Sequence, residues 1–240
     1  TIIGIDKSRT IISRNASPDI GFDRSLNPYK GCEHGCIYCY ARPTHTYLGL
    51  SAGVDFERRI FAKPQAASVL REQFSKPGYR PDTIVIGANT DPYQPIERDL
   101  TITRQVLELM AETRHPVGLI TKSDLVTRDL DVLSDLARDG LVHVGVSVTT
   151  LIPSLARTME PRAPTPAKRL SAIKSLSDAG IPVRVMAAPM IPGINDQELE
   201  KILTTASDLG ARYAAYTLLR VPLEIEGLVK EWLEEHFPTK

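Results

Sequence analysis

Apolar residues follow two alternating rhythms along this chain. Near-continuous, β-branched runs occupy residues 83–88 (TIVIGA), 116–121 (PVGLIT), 141–148 (LVHVGVSV), 182–191 (PVRVMAAPMI) and 213–219 (YAAYTLL). Such runs suit parallel strands covered on both faces. Between them the apolar positions recur with a 3.6-residue period, at Ile102, Val106, Leu109 and Met110, then at Leu130, Leu133 and Leu136. Leu170, Ile173 and Leu176 form a third stripe, and Leu199, Ile202, Ala206 and Leu209 a fourth, each the signature of an amphipathic helix. Gly140, Gly180 and Gly210 sit just after a stripe, where a left-handed helix cap is expected.

A further strand around 26–30 starts the series, and repeated strand–helix units predict a parallel sheet with right-handed crossovers. Six units fall short of the eight that close a full barrel. The expected fold is therefore α/β, a partial (β/α)6 TIM-type barrel, with a doubly wound open sheet as the alternative. Residues 1–25 read as an irregular N-terminal extension and 26–240 as one core domain.

Polar groups end nearly every apolar run: Lys30, then Asn89-Thr90-Asp91, Thr121-Lys122-Ser123, Ser147 with Thr149 and Thr150, and Arg220. The C-terminal rim of barrel strands is where binding and catalytic groups collect. Tyr93 and Gln94 read equally well as substrate-facing groups or as a turn fixed by Pro92 and Pro95. Arg157, Arg162 and Arg169, around the proline-rich stretch 160–166, read as solvated charges near a helix start. His34 reads as an exposed loop histidine. Asp135 and Asp139, beside Arg138, read as a wet helix surface. His115 and His143 flank strand starts, the end of a barrel associated with stability.

Composition narrows the class. The 240 residues carry 29 basic and 29 acidic side chains, which argues against a strongly electrostatic nucleic-acid binder. No apolar run approaches the ~20 residues that span a bilayer, and no signal-peptide pattern opens the chain. The three cysteines all lie between Cys32 and Cys39, so they read as a reduced, cytoplasmic ligand cluster, not a disulfide framework.

That cluster, Cys32-Glu-His-Gly-Cys36-Ile-Tyr-Cys39, is the centre of the chemistry. Soft thiolates select zinc, copper(I) or iron–sulfur clusters. A cubane cluster normally takes four cysteines, one per iron; three leave one iron open. The alternative is a non-catalytic zinc module with His34 as a fourth ligand. Structural zinc usually joins two ligand pairs across a longer loop, and His34 would have to fold back tightly between the first two cysteines. An electron carrier fits poorly, because it gains nothing from an open iron.

The C-x3-C-x2-C spacing, with Tyr38 before the last cysteine, resembles the radical SAM (S-adenosylmethionine) superfamily. Residues 27–42 (NPYKGCEHGCIYCYAR) and 90–97 (TDPYQPIE) look like its spore photoproduct lyase-related branch, within a similarity running from 27 to 220. The resemblance implies a [4Fe-4S] cluster on Cys32, Cys36 and Cys39 at the barrel mouth. It implies S-adenosylmethionine as cofactor, cleaved reductively to start hydrogen abstraction, and a one-electron donor such as flavodoxin or ferredoxin. It places Tyr38 near the adenine and Asn89, Thr90 and Asp91 at the SAM amino group. Lys122 is similar to a lysine that neutralises the SAM carboxylate. Ser147 falls where a serine meets the methionyl or ribose part, and Pro189 and Met190 fall at the adenine edge. One feature departs from the branch: the stretch 87–91 (GANTD) lacks the cysteine that photoproduct lyases use as hydrogen donor. A nucleic-acid or nucleotide substrate therefore gains weight from the resemblance and loses it from the missing thiol and the neutral charge.

Overall fold

Each apolar run read from the sequence becomes a strand of one sheet. In the computed structural model, which describes residues 1–17 and 20–238, the strands are β1 (Ile2–Ile5), β2 (Ile12–Arg14), β3 (Arg24–Leu26), β4 (Tyr29–Lys30) and β5 (Arg59–Ala62). They continue with β6 (Ile84–Ile86), β7 (Val117–Thr121), β8 (Val142–Ser147), β9 (Val183–Met190) and β10 (Tyr213–Leu218). The helices are α1 (Val54–Arg58), α2 (Ala66–Phe74), α3 (Glu97–Leu100), α4 (Ile102–Glu112), α5 (Leu130–Arg138), α6 (Pro153–Met159), α7 (Pro166–Asp178), α8 (Leu199–Asp208) and α9 (Glu226–His236).

The larger sheet runs β10-β9-β8-β7-β6-β3-β2. Pairing is parallel from β3 to β10, and β2 lies antiparallel on β3. The parallel strands follow chain order without the reversal that makes a doubly wound sheet. The two end strands do not pair with each other. The fold is thus a partial (β/α)6 barrel.

The N-terminal extension differs from expectation. β1 pairs with β5 in a three-stranded sheet of order β1-β5-β4, and β2 extends the main sheet. Both pair with segments distant in the chain, and a three- or four-residue strand has too little local pattern to announce itself. The strand expected at 26–30 is also divided. Pro28 has no N–H for a ladder, so the chain leaves the barrel after Leu26 and enters the small sheet at Tyr29.

Alternation along the strands separates two surfaces. Val117, Leu119, Val142, Val144, Val146, Val183, Val185 and Ala187 pack with the helix stripes, including Val106, Met110, Leu133, Leu136, Ile173, Leu176, Ile202 and Ala206, in one core. The intervening residues line the lumen, with Gly118 beside His143, Ile120 beside Gly145 and Ser147 beside Met186. Continuing this alternation puts Lys122 on the lumen side at the rim, next to Ser147.

Gly87, just past β6, takes φ +91°, and a Cβ there would lie 2.3 Å from the Ile120 carbonyl oxygen and 2.7 Å from Pro92 Cδ. Gly87→Ala should therefore force β6 and β7 apart where the site is built. Left-handed strain and overpacking together predict a loss of about 2–4 kcal/mol. A lower urea midpoint at unchanged m-value would show it; an unchanged midpoint would mean the rim can spread freely.

Candidate metal centre

The cysteine loop leaves β4 through two left-handed glycines, Gly31 (φ +81°) and Gly35 (φ +69°). All three cysteines are free; Cys32 and Cys36 are buried and Cys39 is partly so. Backbone contacts anchor the loop from outside. Cys32 N donates to Phe56 O (2.9 Å), Ile37 N to Met159 O (3.0 Å) and Cys39 N to Cys36 O (3.3 Å).

Arg42 is the main brace. It is fully buried and pairs with Glu57. Its guanidinium also donates to the carbonyls of Cys36 (2.8 Å), Gly35 (3.0 Å), Gly53 (2.9 Å) and Ala52 (3.2 Å). Arg162, expected to be merely solvated, pairs with Glu57 and donates to Glu33 O. Gln94 holds the start of the loop: its amide donates to Gly31 O (3.2 Å) and its oxygen accepts from Glu33 N (2.9 Å). Tyr93 is buried with its hydroxyl on Asp129 (2.9 Å). Both residues of that ambiguous pair are thus structural.

His34 is a correction. Instead of lying exposed it is 1% accessible, with Nδ1 3.4 Å from Asp91 Oδ2. A loop this tightly braced leaves no path for the ring to reach water. Among the described residues no three His, Cys, Asp or Glu side chains converge on a site for a single ion. A Cys3His zinc site needs donors about 4 Å apart, given Zn–S of about 2.3 Å. A cubane instead takes one thiolate per iron, a looser triangle. Burial pushes the thiols up, Cys36 to about 12 despite the nearby Lys122, and Cys32 and Cys39 in the same direction. Thiolates therefore form here when a bound metal replaces the protons. Three free thiols in one loop are the soft donors that an iron–sulfur cluster takes.

The rim residues are brought together beside this loop. Asn27 Oδ1 accepts from Asn89 N (2.9 Å) and Thr90 N (3.3 Å), and the Thr90 hydroxyl donates to Tyr29 O (2.8 Å). Asp91 ties β6 to β7: it accepts from the Thr121 hydroxyl (2.7 Å), Lys122 N (2.7 Å) and Tyr93 N (2.9 Å). Burial alone would raise its carboxyl, but His34 and these donors hold it at about 2. Its stabilisation is therefore full above pH 4 and is lost as pH falls through 2. A shift from 3.8 to about 2 is worth about 2 kcal/mol. Asp91→Asn should flatten the stability-versus-pH curve between pH 5 and 2 by that amount. An acid limb as steep as in the parent chain would contradict the assignment.

Lys122 is half-buried, with Nζ 5.9 Å from the Tyr38 ring centroid. Burial works against its charge, but Cys36 and Glu160 outweigh it and raise its pKa. The Tyr38 hydroxyl donates to Glu160, which pairs with Arg169. Arg169 also donates to Ser147 O (3.2 Å) and Pro164 O (2.8 Å). This corrects a second expectation: Arg169 is buried, not solvated, because Glu160 lies buried beside it. Arg157 is exposed, as expected.

At the β9 end, Pro189 O accepts from Asn195 Nδ2 (3.0 Å), and that amide also bridges Thr149 O (2.7 Å) and Ile191 N (2.6 Å). Met190 packs into the main core, so at this position the backbone is what can face a ligand. A second apolar cluster joins Cys36, Ile37 and Tyr38 to Leu155 and Met159 of α6 and to Val229 and Trp232 of α9. The sequence reading did not identify Arg42, Asn195 or the Glu160–Arg169 pair as parts of the site, and it left Gln94 open between a substrate-facing group and a turn residue.

Comparison with known proteins agrees with this geometry. The model of the radical SAM superfamily matches residues 26–206. An uncharacterized protein of Mycobacterium tuberculosis is 34% identical over 219 residues, covering 90% of this chain and 64% of the relative. The chain thus spans just under two thirds of that relative's length. An uncharacterized protein of Methanocaldococcus jannaschii is 28% identical over 213 residues, 89% of this chain and 76% of its own. Among solved structures, spore photoproduct lyase with bound AdoMet and dinucleoside spore photoproduct superposes with a TM-score of 0.70. That match has 15% identity and covers 99% of this chain and 66% of the lyase. Streptococcus suis SuiB bound to S-adenosylmethionine gives 0.52 at 11% identity, over 88% of this chain and 44% of that one. No helix among the described residues is long and apolar enough to cross a membrane. The family match, over most of the chain, settles membership: the chain belongs to the radical SAM superfamily.

Proposed function

We propose that this chain holds a [4Fe-4S] cluster on Cys32, Cys36 and Cys39, binds SAM at the iron without a cysteine, and cleaves it reductively to begin hydrogen abstraction from substrate. The observation that carries the reading is a set of three free thiols in one loop, two buried and one partly so, beside a lumen cation. When bound, cluster and SAM would together supply one-electron reductive cleavage of a C–S bond, the chemistry that starts hydrogen abstraction.

The chain's own residues supply orientation and exclusion of water. Lys122 would pair with the SAM carboxylate. The braced corner of Asn89, Thr90 and Asp91 would face its amino group. In that corner Asp91 acts by fixing the backbone, since its oxygens already accept from Thr121, Lys122 and Tyr93. Ser147 would meet the methionyl or ribose part, while Tyr38 and the backbone at Pro189 and Met190 border the adenine. Residues 26–240 carry all of these groups and form the catalytic core. A one-electron donor such as flavodoxin or ferredoxin must reduce the cluster, and both the donor and the free thiols suit the cytoplasm. The likeness to spore photoproduct lyase favours a nucleic-acid or nucleotide substrate. The absence of a spare cysteine argues that the radical is quenched by another route.

Anaerobic reconstitution tests the reading. About four irons and four sulfides per chain are expected, with 5′-deoxyadenosine formed on adding SAM and a reductant. Stoichiometric zinc and no iron would instead favour the zinc module. Lys122→Ala should leave iron content unchanged and weaken SAM binding by at least about tenfold, the scale of a lost charge-assisted contact. Unaltered affinity would remove Lys122 from the site.

A further inference from the structure

We propose that Glu160 is a positioning residue of the SAM-binding lumen, fixing from behind the two side chains, Tyr38 and Lys122, that face the nucleotide. The proposal rests on the function proposed above and assigns a task to a residue outside the cysteine motif and the strand rim.

The geometry is that of a braced acid that holds Tyr38 directly and lies near Lys122. Glu160 directly follows α6, and its N–H donates to Ala156 O (2.8 Å), continuing the helix ladder. Its carboxylate is clamped by Arg169 of α7. Arg169 is itself tied to the end of β8 at Ser147 O (3.2 Å) and to Pro164 O (2.8 Å). Two helices and a strand end thus set the position of one carboxylate. Tyr38, between the second and third cysteines, donates its hydroxyl to that carboxylate. Lys122, from the end of β7, lies with its ammonium 5.9 Å from the Tyr38 ring centroid.

Charge gives the arrangement its leverage. Lys122 and Arg169 are both cations; Glu160 pairs directly with Arg169 and acts on Lys122 through space. Asp91 also acts on Lys122, but more weakly than Glu160 or Cys36. With a neutral residue at 160, the repulsion that Arg169 exerts on Lys122 would be left without its main carboxylate counterweight. Lys122 would then swing toward solvent or lose its proton. Tyr38 would exchange a charged acceptor for, at best, a neutral amide oxygen, a weaker hold on its ring. Either change moves a group that would contact SAM, while the three thiols stay where Arg42 and the backbone hold them. A purely structural ion pair would behave otherwise: its loss would lower stability without changing how a loaded centre binds SAM.

The experiment compares the reconstituted parent chain with Glu160→Gln, Tyr38→Phe, Lys122→Ala and the Glu160→Gln/Lys122→Ala pair. Iron and sulfide content, SAM affinity per loaded cluster and the change in the reduced cluster's EPR spectrum on adding SAM are measured for each. Glu160→Gln is expected to keep its iron, bind SAM about tenfold more weakly or worse, and show a diminished spectral response. The double variant should lose less than the sum of the two single losses, because part of the effect of Glu160 passes through Lys122. Tyr38→Phe, which removes only the hydroxyl, should show part of the same loss, and it decides the matter if Glu160→Gln does not fold. Unchanged affinity per cluster in the single variants, or strictly additive losses in the double, overturns the proposal. A parent chain that loads iron yet binds no SAM overturns it together with the function beneath it.

Discussion

Cys36→Ala is expected to reduce iron loading and SAM cleavage to background. Cys36 is the middle ligand, and its environment is the most specific of the three. Lys122 is the cation that acts most strongly on its thiol, its carbonyl accepts from Arg42 Nε at 2.8 Å, and its side chain packs in the apolar cluster with Leu155, Met159 and Trp232. Two remaining cysteines cannot hold three vertices of a cubane. The fold should survive, because trimming one buried sulfur is a small core deletion of about 1 kcal/mol. Trp232 is the one tryptophan in the chain, and it shares an apolar cluster with Cys36. Its fluorescence should fall on cluster loading in the parent chain and stay constant in the variant. Iron retained at parental stoichiometry, with 5′-deoxyadenosine still formed, would refute the ligand assignment.

What the sequence revealed of this site, and what it hid, divides along chain distance. The strands of the barrel were legible because covering both faces demands apolar runs, and the helix stripes because one face demands a 3.6-residue period. The thiol triad was legible because its ligands lie within a few residues of one another. The braces were not. Tyr38 and Glu160 are 122 residues apart, and Glu33 N and Gln94 are 61 apart. Nothing local in the proline-rich stretch 160–166 distinguishes a buried Glu160 from a wet one. The reading of Arg169 as solvated failed for that reason: a charged residue is buried when a partner waits for it, and the partner was not visible. His34 failed in the same way, its counterpart being Asp91 at the end of another strand. A signal was available at Arg42, where an arginine three residues past a cysteine-rich turn could have been asked what it holds, but only the carbonyls of the folded loop supply the answer.

Arg42→Ala should cost more than any ligand substitution in stability, and nearly as much in chemistry. Its guanidinium satisfies carbonyls of Gly35, Cys36, Ala52 and Gly53, all within 3.2 Å, and it pairs with Glu57. Alanine leaves those acceptors buried without donors and opens a cavity beneath the loop. Breaking a buried, charge-assisted set of this kind costs about 3–5 kcal/mol, a large share of a typical domain's stability. Arg42→Lys should recover little, since a single ammonium cannot reproduce a planar fork that meets carbonyls on two sides. Glu57 keeps Arg162 as partner, so the loss should come from the loop and not from a stranded carboxylate; Glu57→Gln is accordingly expected to be milder. The measurements are urea midpoints for the cluster-free chains and iron content after reconstitution at a temperature where each is folded. Cys36→Ala should lose iron at near-parental stability, whereas Arg42→Ala should lose both together. An Arg42→Ala chain as stable as the parent would show that the cysteine loop holds its shape without the arginine, through the backbone contacts to Phe56 and Met159 and the braces from Gln94 and Arg162.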